Sequence, residues 1–89
     1  RPISPERLQK NVGQRLAESR KLRGLTQQVL ADRLGVTMRY VQAVEAGGEN
    51  LTLRSVAEWA NVLKVTPAVL FETPAPAARK PGRPRTKTA

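Results

Sequence analysis

The sequence predicts an all-α fold of five short helices, and three observations carry that prediction. One local pattern occurs five times in the 89 residues: an apolar residue, then a Ser or Thr, then a second apolar residue four positions after the hydroxyl. Such a hydroxyl accepts from orphan N–H groups of a first helical turn, and the flanking apolar pair closes over it as a hydrophobic staple. Apolar residues between these openings fall three and four apart, and no segment alternates with the period of two that a half-buried strand requires.

Taken in order, Ile3-Ser4-Pro5 with Leu8 opens a long first helix, with proline at a favoured first position. Along it Leu8, Val12, Leu16 and Arg20 lie four apart on one side, with Leu22 near the C-terminal end, and Gly24 stops it. Leu25-Thr26 with Leu30 opens the second helix, Gly35 makes a tight turn, and Val36-Thr37 with Val41 opens the third. Leu51-Thr52 with Val56 opens a fourth, whose Val56, Ala60 and Leu63 form an inward stripe. Val65-Thr66-Pro67 with Leu70 opens a short fifth. After Glu72 the composition changes to TPAPAARKPGRPRTKTA, rich in Pro, Ala and cations and without an aromatic residue. Such a segment cannot build a core. The expected organisation is a compact domain over 1–72 and a disordered basic tail over 73–89.

Length and composition narrow the function. A single domain of this size buries only roughly 60% of its unfolded surface, so dimerisation would add to its stability. The chain has no cysteine and no histidine. Disulfide and thiolate chemistry are therefore excluded, together with the commonest general base and metal ligand. No phosphate-binding loop or carboxylate cluster is visible, so neither an enzyme nor a metal or cofactor is expected. No apolar run approaches ~20 residues, so no membrane span is expected, and no signal peptide is visible. Net charge is +9, unevenly placed: residues 1–72 hold 11 basic and 7 acidic side chains, and residues 73–89 hold 5 basic and none acidic. A basic balance of this kind suits a polyanionic partner such as nucleic acid.

The threonines that open the second and third helices lie eleven positions apart, room for about two helical turns and a short bend. That is helix-turn-helix geometry, in which the second helix of the pair can enter the DNA major groove. Three pieces of sequence in register also resemble the phage repressor and Cro family of helix-turn-helix regulators. They are Thr26-Gln27, the turn Ala31-Asp32-Arg33-Leu34-Gly35-Val36, and Glu45-Ala46-Gly47. The resemblance runs from about Val12 to Phe71, and what it implies is a compact repressor-like domain that binds double-stranded DNA.

On that register the residues offered to base edges are Thr37, Met38, Arg39, Gln42 and Ala43. Arg39 can bond guanine O6 and N7 together, Gln42 can pair adenine, and Met38 can only touch a thymine methyl. Relatives often carry polar or basic residues at the positions of Met38 and Ala43, so this chain departs there. The resemblance implies phosphate contacts for Gln27 and Tyr40, with core packing the alternative for Tyr40. Gln27 opens a helix, where free N–H groups favour an anion. Arg15, Arg23 and Asn50 are further phosphate candidates, while Glu49 in the same loop would repel the backbone. In some family members an arginine of the first helix pairs with the glutamate near the end of the third; Arg20 and Glu45 occupy those positions. Arg79, Lys80, Arg83 and Arg85 resemble, weakly, an AT-hook of the minor groove, with Pro81 where the usual hook has arginine.

The expectation is a sequence-specific DNA-binding transcriptional regulator, most simply a repressor, that binds a pseudo-palindromic operator as a homodimer. Val69 and Trp59 are candidates for the dimer surface or else core. The alternative is an antitoxin or restriction-modification controller that also binds a protein partner. No small-molecule ligand is expected, and the resemblance implies a cytoplasmic, nucleoid-associated protein of a bacterium or phage.

Overall fold

A computed structural model describes residues 2–72, which form five helices in the order α1 (Pro5–Leu22), α2 (Gln27–Leu34), α3 (Met38–Glu45), α4 (Leu53–Leu63) and α5 (Pro67–Leu70). There is no strand among the described residues. The tail and its candidate residues Arg79, Lys80, Arg83 and Arg85 lie outside them.

Four of the five openings are capped as the sequence predicts. Ser4, Thr26, Thr37 and Thr52 accept from the backbone N–H groups of Arg7, Val29, Tyr40 and Ser55. Thr66 makes no such bond. At this fifth opening the equivalent donor, the Val69 N–H, is spent on the Thr66 carbonyl at 3.1 Å in a tighter turn. The helix ends also repeat one device. After α1, two N–H groups fold back, Gly24 to the Lys21 carbonyl and Leu25 to the Arg20 carbonyl. The same pair of bonds closes α2 at Gly35, α3 at Gly47 and α4 at Lys64. Each of those residues has positive φ, which suits glycine but not lysine. Lys64 holds φ 60° at a cost of about 1–2 kcal/mol.

The buried core draws on every helix: Val12 and Leu16 of α1, Leu30 and Ala31 of α2, Val41 and Val44 of α3, Val56, Trp59, Ala60 and Leu63 of α4, and Leu70 of α5. Fully burying each larger side chain contributes about 1.5–3 kcal/mol. Trp59 is 2% exposed and is the largest side chain in this core, so it is removed from the candidate dimer surface. Val69 is half-buried. Leu22 departs from expectation and is 87% exposed. Two positions beyond Arg20 it is rotated by roughly 200° from the buried side of α1.

α1 and α3 pack unusually closely, and Gly13 is the reason. A Cβ at Gly13 would fall well inside contact distance of the Val44 carbonyl oxygen and 3.0 Å from that of Glu45. Further along the same interface, a Cβ at Gly47 would stand 2.8 Å from Lys10 Cα. The absent side chains bring α3 against the long helix and hold one face of it there.

Candidate nucleic-acid interface

The α2–turn–α3 unit is built from backbone outwards. Gly35, at φ 73°, turns the chain, and Val36 returns its N–H to the Ala31 carbonyl at 3.0 Å. Thr37 then caps α3, so one lone pair of its hydroxyl oxygen is committed to the Tyr40 N–H at 3.0 Å, leaving its proton and a second lone pair. Val41 and Val44 are buried, and Tyr40 is half-buried against the core. Those positions fix the rotation of α3. Met38, Arg39 and Gln42 are left exposed and Ala43 half-buried, which places them together on the outward side.

Behind this surface lies a polar network. Arg20 and Glu45 meet in a two-point ion pair, Nε to Oε2 at 2.7 Å and Nη2 to Oε1 at 3.0 Å. Their side chains are 10% and 7% exposed. Arg20 also donates from Nη1 to the Leu25 carbonyl at 2.8 Å, so one guanidinium ties together α1, the α1–α2 turn and the end of α3. An arginine on the apolar side of α1 is tolerated because its charge is paired and each guanidinium nitrogen donates a hydrogen bond.

The network extends to the surface in a way the sequence reading missed. Gln27 donates from Nε2 to Glu45 Oε1 at 3.0 Å, and its own Oε1 accepts from Gln42 Nε2 at 3.4 Å. Two glutamines at matching sides of the paired helices were the only available signal, and sequence spacing alone does not show that they meet.

The remaining candidates separate. Arg23 and Asn50 are exposed. Arg15 is occupied within the protein: its Nε donates to the Val69 carbonyl at 2.9 Å, and its terminal nitrogens pair with Glu18 at 2.9 Å and Glu72 at 3.3 Å. It joins α1 to α5, so its guanidinium is held within the protein and is not a free cation like Arg23. Among the described residues no group of acidic side chains is placed to hold a metal, and no helix is long and apolar enough to cross a membrane.

Residues 16–70 match the helix-turn-helix family HTH_3, a span that contains α2, the turn and α3 whole. The chain belongs to this family. A curated relative, an uncharacterised HTH-type transcriptional regulator of Sinorhizobium fredii, is 31% identical over 68 residues. That match covers 76% of this chain and 48% of the relative, so the chain spans about half the length of the curated relative it matches. Among solved structures, the restriction-modification controller protein C.AhdI of Aeromonas hydrophila is 35% identical at a TM-score of 0.72. The comparison covers 78% of this chain and all of C.AhdI. SinR, a master regulator for biofilm formation solved in complex with DNA, is 27% identical at a TM-score of 0.64, over 68% of this chain and 98% of SinR.

Proposed function

We propose that this HTH_3 protein is a sequence-specific DNA-binding transcriptional regulator, most simply a repressor, and not an enzyme. The observation that carries this reading is the two-sided construction of α3. One side is locked into the core by Val41, Val44 and the Arg20–Glu45 pair, and the other presents Arg39 and Gln42 free of the core. α3 is then the recognition helix and lies in the major groove, with Thr37, Met38, Arg39, Gln42 and Ala43 against base edges. Gln27, Tyr40, Arg23 and Asn50 flank it toward the phosphates. The cations Arg79, Lys80, Arg83 and Arg85 add charge suited to the DNA backbone. The membership in HTH_3 and the likeness to SinR, a protein solved on DNA, support the same reading.

The protein acts as a homodimer in the cytoplasm, two recognition helices meeting successive major grooves ~34–36 Å apart on a pseudo-palindromic site. Selection of bound duplexes from a random pool, followed by footprinting, tests this. A two-fold repeated consensus with half-sites about one helical turn apart is the expected result. Recovery of unselected sequence would reduce the protein to a non-specific binder.

A further inference from the structure

The hydrogen bonds that leave Glu45 run toward the outward side of α3, and each has a fixed direction. A carboxylate can only accept. Glu45 Oε2 accepts a hydrogen bond from Arg20 Nε, and Oε1 accepts one from Arg20 Nη2 and one from Gln27 Nε2, both at 3.0 Å. A glutamine amide has a donor end and an acceptor end. With Nε2 committed to Glu45, Gln27 offers its Oε1 to Gln42, which donates to it from Nε2 at 3.4 Å. That commits one of the two Gln42 N–H protons. One N–H and the Oε1 of Gln42 remain for a ligand.

We infer that Glu45 is a positioning residue for base specificity: acting through Gln27, it fixes the amide orientation of Gln42 so that α3 offers one acceptor beside one donor. The inference rests on the proposed reading of α3 as the recognition helix. Adenine presents an N6 donor and an N7 acceptor in the major groove, the complement of that pair, whereas guanine presents two acceptors, O6 and N7. A Gln42 amide turned over would suit guanine better, with both N–H groups free. Turning it over sets its oxygen against the Gln27 oxygen. Turning Gln27 as well sets an oxygen against Glu45, whose side chain is 7% exposed and clamped by Arg20. The buried ion pair is thus the fixed end of a relay whose far end reads a base. The bond to the carboxylate is charge-assisted and is the stronger link, and the outer one is longer and exposed.

The test begins by selecting the preferred duplex with the wild-type protein and using Gln42→Ala to find the base pair whose preference is lost. Dissociation constants are then measured by fluorescence anisotropy on four duplexes that differ only at that pair. Wild type should favour A·T over G·C there by about tenfold or more, the scale of one good bidentate contact. Gln27→Ala leaves the ion pair in place and should bring that ratio to within about threefold of unity, while the preference set by Arg39 stands. Glu45→Gln cannot keep both bonds to Arg20, because whichever way its amide turns the N–H₂ faces a guanidinium N–H; the fixed end of the relay loosens, and the A·T to G·C ratio should fall toward unity. If Glu45→Gln does not fold, the Gln27 variant decides alone. Weakening of all four duplexes by Gln27→Ala with the A·T to G·C ratio unchanged would leave Gln27 a phosphate contact alone and overturn the relay, as would a wild-type preference for G·C at that pair. A wild type that selects no sequence would instead sink the recognition-helix reading, a separate failure.

Discussion

Gly13→Ala opposes two effects of known sign. In the middle of an 18-residue helix, alanine in place of glycine gains about 1 kcal/mol from backbone propensity, so sequence alone predicts stabilisation. The structure predicts the reverse. The added methyl would be driven into the carbonyl oxygens of Val44 and Glu45, which are backbone atoms of a packed helix and cannot rotate aside. α3 cannot retreat freely either, since withdrawal stretches the 2.7 Å bond between Arg20 and Glu45. Overpacking of this type costs about 1–3 kcal/mol and sometimes more. With backbone on the receiving side the upper part of that range applies, leaving a net loss of about 1–2 kcal/mol after the propensity gain. For a domain of this size that lowers Tm by about 4–16 °C. Thermal and urea unfolding followed by far-UV circular dichroism measures it. Gln14→Ala, on the exposed side of the same turn, serves as the control and should change stability by less than about 0.5 kcal/mol. A Gly13→Ala protein as stable as wild type, or more so, would refute the close α1–α3 approach.

Four further outcomes are expected. In a double-mutant cycle with Arg20→Met and Glu45→Leu, either single change should cost about 3–5 kcal/mol and the double change less than their sum; urea unfolding that gives additivity within about 0.5 kcal/mol would remove the pair as a stabilising unit. Arg39→Ala should weaken operator binding by about 1–3 kcal/mol and relax preference at one base pair, read by gel shift on operator variants; an equal loss on every sequence would demote Arg39 to a backbone contact. Deleting residues 78–89 removes five cations and should make the plot of log K against log salt shallower, by up to about 4.5 if each engages a phosphate. An unchanged slope would take the tail off the DNA. Lys64→Gly relieves a positive φ and should raise stability by about 1 kcal/mol in the same unfolding assay, and a loss there would contradict the left-handed end of α4.

The helices were legible because their ends are written locally. A threonine or serine before four of the helices and a glycine after three of them satisfy backbone groups within a few residues, so Ser4, Thr26, Gly35 and Thr52 mark boundaries without reference to the rest of the chain. The Arg20–Glu45 contact was legible through the family register and through an arginine on an apolar side. What escaped depends on distance in space. Only Glu18 among the partners of Arg15 is near it in sequence; the other two, the Val69 carbonyl and Glu72, lie more than fifty positions away. Gly13 carries no signal in the sequence, since only the neighbouring helix shows why a side chain has no room. Trp59 was ambiguous between surface and core because a single indole on an amphipathic helix fits both until the helices are packed.

Both α2 and α3 are eight residues long. Helices below about 12–15 residues are marginal on their own in water. The outward face of α3 therefore exists only in molecules whose whole core is assembled, and apparent affinity for DNA is the intrinsic affinity multiplied by the folded fraction. Substitutions at Leu16 or Leu63, both fully buried and neither on that face, should then depress binding as the unfolded fraction rises. The deficit would be recovered by cooling toward the stability maximum or by excess DNA, because ligand at 100 times Kd returns about 2.7 kcal/mol to the folded state. Loss of Arg39 has no such remedy. Temperature dependence of binding thus sorts residues that build the reading surface from residues that are the reading surface.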